Sequence, residues 1–338
     1  MEEGAQQAVD FESLLAAGKD LTSADAARLE ARLEADVENE RVRGLLLAYY
    51  TRASRNDALA AEERAYAARS LERLVIWVMQ HHVEWSQARF SSWAWAHDTG
   101  QRFRWLLAWS KAVKRAPTDL RVLMNAAFFH ALNSESALPL LERARELAPN
   151  DPEVLRTLAM HLRLGPGANA RSLELLEQTV ALEQLPERRR SDLVRLAQAA
   201  WRAERWERAD SAAREALSST FDAAQPASDT LAHEAWHVAG KCALHRGDAE
   251  EAKRCLLAST DVRPGAVLAL WPGPRMELAQ RLLGRGERDI VLEYLRRLVG
   301  RVKVIPSKGH ASLTDDIGAW IASLERGATP DFGNYARE

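Results

Sequence analysis

Trp236, Ala239, Gly240, Ala243, Gly247, Ala252, Leu256, Ser259 and Pro264 constrain the fold of this chain more than any other residues. Small side chains on two consecutive amphipathic segments, parted by a glycine, let two antiparallel helices approach closely. Such a hairpin keeps one face uncovered until another hairpin stacks on it. A stack of helical hairpins is therefore expected. The 338 residues suit it, because single compact cores stop growing at roughly 250–300 residues.

The same register returns along the chain. Residues 190–221 carry Leu193, Leu196, Ala197 and Ala200, then Ala209, Ala213 and Ala216. Residues 272–302 carry Leu278, Ala279, Leu282 and Gly286, then Val291, Leu295 and Leu298, after a Pro272-Gly273-Pro274 break that resets the chain. Upstream, Leu123, Ala126, Ala127, Ala137, Leu141, Ala144 and Pro149 fit with a shortened turn. Asp151-Pro152 opens a further hairpin through Leu155, Leu158, Ala159 and Leu162, whose second helix is expected over 169–183, beyond Gly165-Pro166-Gly167. A degraded unit over 86–117 has Gly100, Trp105, Trp109, Ala112 and Pro117, with Trp93 where a small residue is expected.

These residues resemble the tetratricopeptide repeat over about 86–302, most closely over 190–302. The resemblance implies an all-α fold, a right-handed solenoid of helical hairpins recurring about every 34 residues. The segment Gly284 to Tyr294 and the tail Gly327 to Gly333 are similar to a bacterial group of such proteins with no assigned role. That likeness implies a fold and no activity. Capping elements are expected at both ends: helices over 23–35, 39–54 and 60–82 within residues 1–85, and a last helix over 311–326 within residues 303–338, its stripe made by Leu313, Ile317, Trp320, Ile321 and Leu324.

Composition narrows the function classes. A net charge of −2 gives no long-range attraction to nucleic acid or to an anionic membrane, so neither is an expected partner. Arginine outnumbers lysine, as the run Arg188, Arg189 and Arg190 illustrates, and the arginines are interleaved with glutamates at spacings that pair on a solvated helix face. Two cysteines, Cys242 and Cys255, imply no disulfide framework. The first twenty residues are acidic and lack a long apolar run, so neither signal peptide nor anchor is expected, and a cytoplasmic location follows. Signature loops for nucleotides and the G-x-S-x-G elbow are missing from the sequence, which removes the usual marks of nucleotide chemistry and serine hydrolysis.

His233-Glu234-Ala235-Trp236-His237 matches H-E-x-x-H. One helical turn brings two imidazoles together for zinc, with the carboxylate between them placed to polarise water. A third ligand is needed, and Ala243 stands where the longer metzincin pattern has histidine. His245 lies ~12 Å along the axis, too far for the same shell. The repeat register offers a competing account, in which Glu234, His237, Lys241 and His245 form a polar strip on the concave side of a peptide-binding hairpin. His81 and His82 sit where a helix is expected to end, a position that suits carbonyl capping.

Two function hypotheses follow. The first is a non-enzymatic adaptor with no cofactor, whose groove holds a partner protein segment. Its expected contacts are Arg121, Met124 and Phe128; Glu153, Arg156, Met160 and Arg163; Val194, Gln198, Trp201 and Arg202; Glu234, His237, Lys241 and His245. The alternative is a zinc protein or metal-dependent hydrolase centred on His233 and His237. Six tryptophans, Trp77, Trp85, Trp93, Trp95, Trp105 and Trp109, read as core where Trp105 and Trp109 share a stripe, and as surface for Trp95 beside His97. Self-association through that Trp-rich end is a third possibility.

Overall fold

The computed structural model describes residues 11–18, 20–81, 99–132, 136–162, 168–218, 226–261, 274–302 and 310–336. The chain divides into two compact units, 1–148 and 149–338. Among the described residues every regular element is helical. The boundary expected at 85/86, with Trp85, Trp93, Trp95 and His97, lies outside them, as do Arg163 and His82.

Unit one contains α1 (Phe11–Gly18), α2 (Ser23–Ala35), α3 (Glu40–Ala53), α4 (Ala61–His81), α5 (Thr99–Arg115), α6 (Leu120–Leu132) and α7 (Leu138–Leu147). Local chemistry sets the starts. Thr22 and Asp25 form a reciprocal capping box at α2, and Asn39 caps α3 by accepting from the Val42 amide, each cap giving an otherwise orphaned backbone donor a partner. Gly18 is required by packing, since a Cβ there would stand 2.4 Å from Ala48 Cβ and 2.8 Å from the Leu45 carbonyl oxygen. Apart from α1, which lies on α3, the larger contacts join consecutive helices. Trp77, Trp105 and Trp109 are all buried, with Leu46, Val75, Met79 and Phe129 around them, so these three tryptophans fill the core.

Unit two contains α8 (Pro152–Leu162), α9 (Ala168–Leu182), α10 (Pro186–Arg202), α11 (Trp206–Ser218), α12 (Pro226–His245), α13 (Ala249–Ala258), α14 (Glu277–Leu283), α15 (Arg288–Val302), α16 (His310–Glu325) and a short 3-10 turn, Gly333–Ala336. Among the described residues, substantial contacts run between elements one or two apart, with α10 on α12 and α12 on α14, and between α14 and the final turn. That pairing is a stack of hairpins in which each first helix touches the next. The small residues expected at the contacts are sealed there: Ala197, Ala200, Ala209, Ala213, Ala239, Ala243, Ala252 and Ala279 are each 0% exposed. Trp236, expected on the same stripe, is only half-buried.

Three successive hairpins turn in the same way. Residues with positive φ stand at Glu204 (57°), Gly247 (85°) and Gly286 (84°). After each, the next amide reaches back five residues: Arg205 to the Ala200 carbonyl, Asp248 to Ala243, and Glu287 to Leu282. This is the Schellman arrangement that satisfies orphaned carbonyls at a helix C-terminus. The equivalent turns are 43 and 39 residues apart, which corrects the expected 34-residue period. In the first interval the extra residues fall in the 20-residue α12 and between hairpins, and in the second, where α14 has only 7 residues, they fall between hairpins.

Of the expected terminal stripe, Leu313, Ile317, Trp320 and Leu324 are buried in one cluster with Val291, Leu295 and Leu298, and Ile321, half-buried, packs against it. The tail then folds back over the stack. Trp320 Nε1 donates to the Asp331 carbonyl at 3.0 Å, the Met276 amide donates to the Tyr335 carbonyl at 2.8 Å, and Phe332 is 1% exposed.

Candidate functional site

In unit two, α10, α12 and α14 present one side chain after another to the same strip. Gln198, Trp201, Arg202, Glu234, His237, Lys241, Arg275 and Glu277 line a recess of about 40 Å³ along it. Six of these were expected in a groove from sequence, and Arg275 and Glu277 were not. They fall outside the repeat positions used to predict contacts, and only their partners reveal them.

The strip is a ladder of pairs joining successive first helices. Arg156 on α8 binds Asp192 on α10, Gln198 Nε2 on α10 donates to Glu234 Oε2 on α12 at 2.5 Å, and Lys241 Nζ on α12 donates to Glu277 Oε2 on α14 at 2.6 Å. Arg275 Nε adds a longer contact to Glu234 Oε1 at 3.3 Å. Side chains expected to wait for a ligand are thus engaged with one another. Arg156 is also held by Glu183, and its acidic neighbours keep its guanidinium pKa above the usual value, Asp192 most strongly.

Several expected contacts are corrected by burial. In unit two Val194 is 3% exposed, Trp201 5%, His237 3% and Lys241 9%, because the first helix is wedged between its own partner helix and the next hairpin; in unit one Met124 is 7% exposed. Trp201 is enclosed by its own chain: Trp206 meets it edge-on at 4.6 Å, while Lys241 Nζ and Arg281 Cζ lie 4.6 and 5.2 Å from its ring centre. His245 is absent from the recess lining and lies 4.5 Å from the Trp206 ring. Arg121 and Met160 are exposed, and Phe128 and Glu153 are half-buried.

His233 and His237 lie beneath the strip with ring centres 4.5 Å apart. His233 Nδ1 donates to the Ser259 carbonyl at 2.8 Å. Ser259 Oγ donates to the Leu256 carbonyl and therefore accepts from His237 Nε2, 3.2 Å away. Among the described residues His233 Nε2 and His237 Nδ1 have no hydrogen-bond partner, so each ring carries one proton and one lone pair. Burial holds both below the ordinary histidine range, His237 well below it, with the neighbouring His233, Lys241 and Arg275 adding to the effect there. Two bare nitrogens are donors a metal could use. The rest of a zinc shell is missing, since no group of three or more His, Cys, Asp or Glu forms around them among the described residues. Glu234 is turned to Gln198 and Arg275. The described residues therefore do not fit a catalytic zinc.

Other nucleophiles are quiet. Burial pushes the Cys242 and Cys255 thiols up to about 12, far from the thiolate form that reacts. No helix among the described residues is long and apolar enough to cross a membrane.

No family model matches the chain, and no curated protein matches it. Among solved structures it is similar to two crystal structures of MamA. One has TM-score 0.42 and 12% identity over 55% of this chain and 91% of the other; the second has TM-score 0.38 and 17% identity over 52% and 94%. It is also similar to the APC/C hetero-tetramer Cut9-Hcn1, at TM-score 0.40 and 14% identity, over 91% of this chain and 54% of that one. At such scores the fold rests on the helix pairing described above: a tetratricopeptide-like all-α stack.

Proposed function

We propose that the chain is a non-enzymatic adaptor that holds a segment of a partner protein against the strip formed by α10, α12 and α14. The observation that carries this reading is the alignment of three successive first helices, whose polar side chains share one recess over a buried floor of Trp201 and His237. The recess is small, so a partner would bind across the strip and meet its paired charges rather than enter a deep pocket. Arg202 and Arg275 are the cations there that remain partly exposed, and they favour an acidic segment or a C-terminal carboxylate.

The test is affinity capture from the native cell with the full chain, repeated with Arg202→Glu and Arg275→Glu. Loss of the same captured protein from both variants is the expected result. Retention of every captured protein by both would overturn the assignment. Stoichiometric zinc in protein purified without added metal, lost in His233→Ala, would favour the metal reading instead.

A further inference from the structure

Unit one contains a recess of about 450 Å³ between α2, α3 and the first turns of α4. Tyr49, Tyr50, Tyr66, Glu30, Glu62 and Glu63 line it, the remaining lining side chains being serine, alanine and leucine. No lysine or arginine is among the described residues that line it.

The aromatic rings are set as walls. Tyr49 and Tyr50 have centres 5.1 Å apart and planes at 71°, and Tyr50 and Tyr66 are 6.1 Å apart, also at 71°. Glu30 fixes two of them, its Oε1 accepting from Tyr50 OH at 2.5 Å and from Tyr66 OH at 2.7 Å. The partners of that carboxylate oxygen are neutral phenols, so its charge is not cancelled by them. Glu62 and Glu63 stand in the first turn of α4, where the helix dipole stabilises acidic residues without any ligand. The dipole accounts for those two glutamates. It gives no reason for three tyrosines to meet them around one opening.

Aromatic faces and carboxylates attract the same ligand class. The negative face of a tyrosine ring draws a cation within about 6 Å of its centre, most strongly when the cation is weakly hydrated. A neutral apolar guest would desolvate carboxylates without compensation, and an anion would be repelled. The chain already uses one of these rings so: the Arg52 guanidinium lies 5.8 Å from the Tyr49 centre while donating to the Leu21 carbonyl. Tyr66, 45% exposed, is the wall most open to a guest.

We propose that this recess binds the alkylammonium group of a cationic ligand, carried either by a free quaternary amine or by a lysine side chain of another protein. The proposal is independent of the reading of unit two. It is tested by calorimetric titration of the full chain with choline, with N-acetyl-lysine methylamide, and with 3,3-dimethylbutan-1-ol, the neutral isostere of choline. At least one cation is expected to bind about 10-fold more tightly than the isostere. Tyr66→Ala and the double variant Glu62→Gln/Glu63→Gln are each expected to weaken it about 5-fold or more, whereas Tyr66→Phe, which keeps the ring, retains binding. Circular dichroism checks that the variants fold. Preference for choline identifies a free amine, and preference for the lysine derivative identifies a protein side chain. Equal affinity for cation and isostere, no measurable binding of either cation, or cation binding indifferent to Tyr66→Ala and to the double glutamine variant would overturn the proposal.

Discussion

Arg156 grips Asp192 with two parallel contacts, Nε to Oδ1 and Nη2 to Oδ2, each 2.7 Å, and thereby ties the first helix of one hairpin to the first helix of the next. Asp192 is 0% exposed, and Glu183 shares the same guanidinium. Arg156→Met would leave buried Asp192 to Arg195, 3.1 Å away, and buried Glu183 to the Leu185 amide that donates to its Oε1 at 3.0 Å. A loss of about 3 kcal/mol is expected in urea unfolding, because removing one partner of a buried pair strands the other. The double variant Arg156→Met/Asp192→Leu should recover part of it. A single variant within about 0.5 kcal/mol of the parent would show the pair to be dispensable.

Glu204 occupies, at φ 57°, the turn position that Gly247 and Gly286 fill in the next two hairpins. A side chain in the left-handed region costs roughly 1–2 kcal/mol, and glycine removes that strain while giving the unfolded chain more freedom. Glu204→Gly should therefore raise the unfolding free energy by about 0.5 kcal/mol. The check is the thermal midpoint of the variant, and a fall would mean that the Glu204 side chain contributes more than its backbone strain costs.

Gly240 sits where three helices meet. A Cβ there would lie 2.4 Å from Leu278 Cδ2 and 3.0 Å from Cys255 Cβ. Gly240→Val should destabilise unit two by about 2 kcal/mol through overpacking, despite valine's better helix propensity. Chemical denaturation measures it, and an unchanged midpoint would show that α12 and α14 can separate at no cost.

The paired imidazoles predict an acid-sensitive stability. Both histidines have folded-state pKa values lowered by burial, so above the unfolded value near 6.5 both states are neutral and stability is full. As pH falls below that value, the unfolded chain takes up protons that the folded chain refuses. Stability should drop by up to about 1.4 kcal/mol per pH unit for each histidine until its folded pKa is reached. Urea midpoints between pH 7 and 5 should fall in the parent and fall less in His233→Asn/His237→Asn. Parallel slopes would remove these residues as the cause.

Ala209, Ala213 and Ala252 show how much was legible beforehand. Their spacing announced close helix contacts, and all three are fully buried, because side-chain size at a helix crossing is a local requirement. The span of α2 and the burial of Leu313, Ile317, Trp320 and Leu324 followed from apolar periodicity for the same reason. The repeat length did not follow, since family spacing was imposed where this chain inserts residues. Trp201 and Lys241, expected in the open, line one recess with Gln198 and Glu234 but are buried there. Helical phase gives the direction in which a side chain leaves its own helix and contains nothing about the neighbour that meets it.

What the sequence determined by itself was the helical hairpin and the faces its members bury, because i, i+3 and i, i+4 patterns are properties of a single segment. Only the tertiary structure decided that Arg156, Gln198 and Lys241 are engaged with Asp192, Glu234 and Glu277. It also decided that Tyr49, Tyr50 and Tyr66 face one recess. These relationships join helices far apart in the chain, and their distances depend on how closely the hairpins nest, which no single segment encodes.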